Sequence, residues 1–298
     1  MVELPDPQAG PGEVLIRVHA AAVNPTDTLA RNGARAEAQR AHGPPPYVPG
    51  MDAAGVVESV GAGTETDLKV GDHVMAIVVP RGSHGAYSAK IVVPAESVVR
   101  VPAGASHVEA CTLPMNGLTA RLALDTLALP AGRTIAVTGA AGAFGGYVVQ
   151  LAKADGLRVI ADASEADEKL VYELGADTVV RRGDDVAARV REVVPEGVDG
   201  LVDGALLNDK VAAAVRVGGK VITVRGFRQE NDVRGVSLEP ILVRSYWKEH
   251  AKLDRLRQQV EDGQVTLRVA LTFPATEAAE AHRMLEAGGT RGRLVLEF

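Results

Sequence analysis

The stretch Thr134-Ile-Ala-Val-Thr138-Gly139-Ala140-Ala141-Gly142-Ala143-Phe144-Gly145-Gly146-Tyr-Val-Val-Gln-Leu-Ala152 decides how this chain folds. Its first five residues are a short apolar run of the buried-strand type, and its last seven carry apolar residues at helical spacing. The glycines between them let backbone approach a ligand closely. The helix that follows presents unpaired N–H groups and the positive end of its dipole, a setting that suits a pyrophosphate.

Outward from this unit the same alternation continues. Strand-like runs fall at 158–161, 177–180, 200–202 and 220–224, with helix-like segments at 145–154, 165–174, 186–194 and 209–217. A sixth strand at 236–243 would close the sheet. The pattern predicts an α/β, doubly wound parallel sheet. A glycine turn opening the first βα unit of such a sheet is the context in which it binds a dinucleotide, the plain alternative being a tight turn. The candidate cofactor residues are therefore Gly139, Ala140, Ala141, Gly142, Ala143, Phe144 and Gly145.

The tip of the second strand selects the dinucleotide. Asp162 stands twenty residues beyond Gly142, the spacing at which a carboxylate bonds the ribose 2′-hydroxyl of NAD. Ala163 and Ser164 occupy the tip itself, and Lys169, Arg181 and Arg182 follow where they could face a phosphate. Side chains alternate along a strand, so Asp162 and Ala163 cannot both reach the ribose. With the small neutral side there, the expectation is NADPH in preference to NADH, held by Ser164, Lys169 and Arg182.

Before residue 105 the texture differs. Runs at 13–19, 53–60, 73–79 and 89–93 are β-rich and separated by Gly-Asp and Pro-Gly turns, which predicts a β-barrel-like unit. After Ser245 come a helix at 250–261, a strand at 265–271, a helix at 276–285 and a strand at 293–296. This tail is too long for a cap and too short for a domain, so it is expected to complete the first unit. The division is 1–108 with 245–298, and 109–244.

The 298 residues are 46% hydrophobic and 23% charged, with a net charge of −6. That balance argues against a nucleic-acid or acidic-membrane binder. No apolar run approaches the roughly 20 residues that span a bilayer. A single cysteine, Cys111, excludes an internal disulfide and every zinc site with two thiolates, and reads as cytoplasmic. Cys111 is expected to be a buried thiol, and His73 and His84, without partner histidines at ligand spacing, to be ordinary strand or loop residues. No metal site is expected.

Several segments in order, Val23-Asn24-Pro25-Thr26-Asp27, Pro49-Gly50-Met51-Asp52-Ala-Ala-Gly55, Val70-Gly71-Asp72, Gly85-Ala-Tyr87, Leu113-Pro-Met-Asn-Gly117-Leu118-Thr119-Ala120 and the glycine loop, resemble those of the zinc-independent medium-chain dehydrogenase/reductases of the quinone oxidoreductase group. The resemblance covers essentially the whole chain. It implies a GroES-like catalytic domain made from both chain ends, an inserted Rossmann domain, the cofactor between them, and a homodimer through an edge strand near 236–243. Zinc-dependent relatives place a Cys near Asn24 and a His-Glu pair after Gly50; this chain has Asn24 and Met51-Asp52.

Without zinc no strong Lewis acid is present to activate an alcohol. The implied reaction is hydride transfer from the nicotinamide to a small electrophilic acceptor, a quinone or an α,β-unsaturated carbonyl. The resemblance also implies that Thr119 lies beside the nicotinamide, with Val224, Gly226 and Phe227 backing the ring. Asn24 would donate to a developing oxyanion, with Asp27 near it as a candidate acceptor contact; for both, the plain alternative is a structural Asx turn before Pro25, which for Asp27 is the leading reading. Related enoyl reductases carry a tyrosine proton donor after the Asn-Pro segment, and here the nearest phenol is Tyr47, a candidate acceptor contact or a loop anchor. The reading of a different class is a non-catalytic NADPH-binding protein with the same fold.

Overall fold

Thr134–Thr138 lies inside a six-stranded parallel sheet, with all but its first residue buried. The strand order is Ser237–Pro240, Val215–Thr223, Val198–Asp203, Thr134–Thr138, Arg158–Ala163, Thr178–Arg181. The order reverses at Thr134–Thr138, so the glycine loop emerges at the switch point where doubly wound sheets bind ligands. Ile135, Ile160, Leu201 and Ile222 are at most 1% exposed. Each such side chain contributes about 1.5–3 kcal/mol by leaving water, which is why continuous apolar runs rather than alternating ones mark these strands. The computed structural model describes every residue except 1, 42, 228–232 and 234.

Three elements depart from the sequence expectation. The helix expected at 209–217 is a 3-10 segment, Asn208–Ala214, and the chain then enters Val215–Thr223, a strand that begins well before 220. Val215 pairs with Val198, and Val211, Ala212 and Ala214 are buried against the sheet. Sheet pairing and packing outweigh the local helical period there. The sixth strand shortens to Ser237–Pro240.

Chain contacts divide the protein into residues up to Leu118 with those from Arg244 on, and Thr119–Val243. In the first unit, Glu13–Ala22 pairs antiparallel with Asp52–Val60, Lys90–Pro94 and Arg293–Glu297, the last also carrying Val269–Pro274 in parallel. Seven strands form this sheet. Gly55 is required at its centre, since a Cβ there would stand 1.9 Å from the Arg17 carbonyl oxygen.

Three histidines meet on this unit, contrary to the expectation of isolated ones. Nδ1 of His19 lies 3.0 Å from Nδ1 of His107, whose Nε2 lies 3.0 Å from Nδ1 of His73. Burial, with the nearby His19 and His73, holds His107 down to about 4. Among the described residues no group of three or more His, Cys, Asp or Glu side chains is arranged to hold a metal ion. No helix among them is long and apolar enough to cross a membrane.

Candidate functional site

In the Rossmann unit, Gly142 is the N-cap of the helix Ala143–Ala154. Gly139 takes a positive φ of 67°, and its carbonyl accepts from the Gly142 N–H at 2.9 Å. A Cβ on Gly145 would stand 2.3 Å from the Gly139 carbonyl oxygen, so only glycine lets the helix start lie against the loop. A Cβ on Gly139 would meet the Gly204 backbone at 2.9 Å. Gly142 differs: an added Cβ there has the Gly139 oxygen at 3.1 Å as its sole neighbour within 4 Å. The loop is thus packed from behind and open over Gly142, a cradle that the pyrophosphate of a dinucleotide fits. Helix geometry leaves the N–H groups of the first turn without intrahelical acceptors.

Two carboxylates hold the cradle. Asp162 is 5% exposed and accepts from the Ala140 N–H at 3.2 Å. Burial raises its pKa, opposed by the loop's N–H groups and by Arg182. Its charge is therefore turned into the loop. Asp203, fully buried at the end of Val198–Asp203, accepts from the Thr138 hydroxyl at 2.6 Å and from the N–H groups of Ala205 and Asn208. Asp203 was missed by sequence reasoning, although an acid closing an apolar strand level with Thr138 was the available signal.

At the tip of the second strand, the Arg182 N–H donates to the Ala163 carbonyl at 2.9 Å, with the Arg182 side chain exposed. The Ser164 hydroxyl donates to Asp167. Lys169, on the helix Glu168–Glu173 that follows, is exposed and pairs with Glu173 at 3.6 Å. Val224, Gly226 and Phe227 follow Val215–Thr223, with positive φ at Arg225 and Gly226. Phe227 packs against the buried cluster of this unit, so its ring serves the core. Thr119 is 9% exposed on the helix Pro114–Leu127.

The first unit encloses a polar network. Asn24, fully buried, donates from Nδ2 to Asp52 Oδ2 at 2.7 Å and to the Ala22 carbonyl at 3.4 Å, and its Oδ1 accepts from Asn116 Nδ2 at 3.2 Å. The Met115 N–H donates to the other Asp52 oxygen at 2.6 Å. Asp27 accepts from the N–H groups of Asn24 and Gly50 at 2.8 and 3.0 Å and from the Tyr87 hydroxyl at 3.3 Å. The same Tyr87 oxygen lies 3.2 Å from His282 Nε2. Desolvation pushes Asp52 up to about 7 and Asp27 up to about 6, with hydrogen bonds acting in the opposite sense.

This geometry favours the structural one of the two alternatives that the sequence left open for Asn24 and for Asp27. Both Asn24 N–H donors are spent inside the network, so Asn24 has none for an oxyanion. Asp27 is 2% exposed and joins the helix start at Pro25–Arg31 to the Gly50 turn, a structural part rather than an acceptor contact. Tyr47 donates to the Gly43 carbonyl at 3.1 Å and so anchors its own loop.

Residues 10–103 match the Alcohol dehydrogenase GroES-like domain, and residues 174–296 the Zinc-binding dehydrogenase family. An NADPH-dependent alkenal/one oxidoreductase of Arabidopsis thaliana chloroplasts is 32% identical over 97% of this chain and 73% of its own length. A quinone oxidoreductase of Mus musculus is 29% identical over 99% and 91%. A mycobacterial quinone oxidoreductase of known structure superposes with a TM-score of 0.82 at 30% identity, covering 100% of this chain and 94% of that one. The chain belongs to the medium-chain dehydrogenase/reductase family, in its quinone oxidoreductase group.

Within that family the positions of the zinc ligands carry other chemistry here. Asn24 and Asp52 are hydrogen-bonded to each other, and the Met51 sulfur accepts from the Thr26 hydroxyl at 3.3 Å. An amide, a thioether and one carboxylate do not make the thiolate and imidazole set that zinc prefers. The residues present do not fit the metal. Asp52, Asn116, Tyr87 and His282 were not singled out as a site from sequence, because their partners lie between 28 and 195 residues away.

Proposed function

We propose that this protein is an NADPH-dependent reductase of quinones or α,β-unsaturated carbonyls that works without zinc. The observation that carries the reading is the open face over Gly142 at the start of Ala143–Ala154, in a chain whose zinc-ligand positions hold Asn24, Met51 and Asp52. The names of the relatives support the acceptor class. The bound nicotinamide would supply hydride to an acceptor that is already electron-poor. Gly142 and the N–H groups of the first helical turn would hold the pyrophosphate, and Thr119 would orient the reacting ring.

NADPH is preferred over NADH in this reading because Asp162 is committed to the loop, leaving Ala163 and Ser164 at the ribose side with Arg182 beside them. Arg182→Ala is expected to lower kcat/KM for NADPH by about 1.5–3 kcal/mol, the range for a hydrogen bond to a charged group, with little change for NADH. Comparing the two cofactors in both proteins measures it, and a wild type that prefers NADH would overturn the assignment.

The function itself is tested by following NADPH oxidation with a panel of quinones and enones, before and after dialysis against a chelator. Acceleration by at least one acceptor, unchanged by chelation, is the expected result. Tight NADPH binding with no acceptor active would instead establish a non-catalytic binding protein. Loss of activity on chelation, restored by Zn²⁺, would overturn the metal-free reading.

A further inference from the structure

Arg189 closes the turn that carries Arg182. Thr178–Arg181 is an edge strand of the Rossmann sheet, so its outer side has no neighbouring strand with which to exchange hydrogen bonds. From the helix Val186–Val193, Arg189 Nη1 donates to the Arg181 carbonyl at 2.6 Å and to the Arg182 carbonyl at 3.1 Å. Its Nη2 donates to Asp185 Oδ2 at 2.6 Å, which holds the guanidinium in place. The fit is close. A Cβ on Gly183, where φ is 145°, would stand 3.1 Å from Asp185 Oδ1 and 3.6 Å from Arg189 Nη1.

Arg182 is thereby pinned from both sides. The peptide group before its Cα gives its N–H to the Ala163 carbonyl at 2.9 Å, across the register that sets Arg181 opposite Ala163, and its carbonyl to Arg189. The peptide group after its Cα gives its carbonyl to Arg189 as well. Each peptide group is planar, so fixing both sets the backbone dihedrals of Arg182 and with them the direction of its Cα–Cβ bond. The side chain it launches is uncommitted: among the described residues the Arg182 guanidinium forms no ion pair, whereas Arg181 beside it reaches Glu165 at 3.9 Å. A charged side chain on a preset base loses less freedom when a ligand orders it.

We propose that Arg189 is a positioning residue for cofactor choice: by holding both peptide groups of Arg182 it presets that side chain for the 2′-phosphate of NADPH, without touching the phosphate itself. The proposal rests on the reading of NADPH as the preferred cofactor, and it adds the device that keeps Arg182 in place. Only a planar fork can span two successive carbonyls and a carboxylate at once, which is the reason for arginine at this position.

Calorimetric titration with adenosine 2′,5′-bisphosphate and with adenosine 5′-monophosphate reads the contribution of the 2′-phosphate to binding and needs no turnover. Wild type is expected to bind the bisphosphate more tightly. In Arg189→Ala the bisphosphate should weaken about tenfold, the scale of one hydrogen bond to a charged group, with the monophosphate held within about twofold. Arg182→Ala/Arg189→Ala should bind the bisphosphate no more weakly than Arg182→Ala, since a residue that acts through Arg182 then has nothing left to position. Arg189→Lys keeps the charge but loses the fork, so a loss of about threefold is expected there; this variant carries the test if Arg189→Ala does not fold. Losses that multiply in the double variant would put Arg189 on the phosphate and overturn the positioning role. Equal losses for both nucleotides would also overturn it, by making Arg189 a support of the whole loop. A wild-type preference that survives in the Arg189 variants overturns this proposal alone and leaves the NADPH reading standing, whereas a wild type that binds both nucleotides equally overturns that reading and this proposal together.

Discussion

Gly145→Ala is expected to destabilise the protein by about 3 kcal/mol and to weaken NADPH binding roughly 100-fold. The added Cβ would stand 2.3 Å from the Gly139 oxygen, 2.7 Å from the Gly139 carbonyl carbon and 2.9 Å from the Ala140 Cα, all of them backbone. No side chain can swing aside. The loop itself is pinned by Asp162 and by the Gly139 to Gly142 hydrogen bond, so the helix start must move, at the upper end of the usual cost of overpacking. In the proposed cofactor site, displaced N–H groups would then lose charge-assisted bonds to the pyrophosphate, each worth about 1.5–3 kcal/mol.

Gly142→Ala separates binding from folding. Its Cβ would meet only the Gly139 oxygen at 3.1 Å and otherwise project into open space. At φ −71° and ψ 170° the backbone accepts an alanine. Stability should change by less than about 1 kcal/mol while NADPH binding falls as steeply as in Gly145→Ala. Fluorescence titration of NADPH and urea unfolding read the two quantities. Unimpaired NADPH binding in Gly142→Ala would place the cofactor elsewhere.

The second large effect is on the pH dependence of stability. Native Asp52 keeps its proton up to about pH 7, whereas in the unfolded chain it is released near 3.8. The folded state holds more protons in that window, so this carboxyl's contribution is full below 3.8 and is lost as pH rises through 7. A carboxyl shifted that far changes stability by about 4 kcal/mol across the range. Asp27, raised to about 6, acts in the same direction. His107 acts in the opposite one: lowered from 6.5 to about 4, its contribution is present above 6.5 and lost as pH falls through 4.

Asp52→Asn keeps an acceptor for the Met115 N–H but turns an amide donor toward Asn24 Nδ2, a cost of about 1–3 kcal/mol. The deficit relative to wild type should be largest near pH 4 and should shrink or reverse by pH 8. His107→Gln should gain stability relative to wild type as pH falls from 6.5 to 4, because the imidazole that must be kept neutral is gone. Urea unfolding across this range measures both. A deficit for Asp52→Asn that stays constant with pH would show that Asp52 is ionised throughout.

How much was legible in the sequence follows the range of the interactions. The strand Thr134–Thr138 and the helix Ala143–Ala154 were readable because burial on both sheet faces demands an unbroken apolar run, and an amphipathic helix a 3.6-residue period. The glycine loop was readable for the same local reason. Where tertiary pairing opposed the local period, at Asn208–Ala214 and Val215–Thr223, the helical expectation failed. Alternation along Arg158–Ala163 showed that one of Asp162 and Ala163 must face the loop; only the packed structure assigned that side to Asp162.

The sequence by itself determined the doubly wound sheet, the glycine turn at its switch point and the absence of two thiolates for a metal. Local period and composition suffice for these. Tertiary structure alone decided that Asn24 is spent on Asp52 and Asn116 and that His107 lies between His19 and His73. Each of these depends on side chains from distant strands, turns and helices arriving within a few ångströms of one another. Residue spacing along the chain carries no record of that proximity, whereas hydrogen bonding and charge depend on little else.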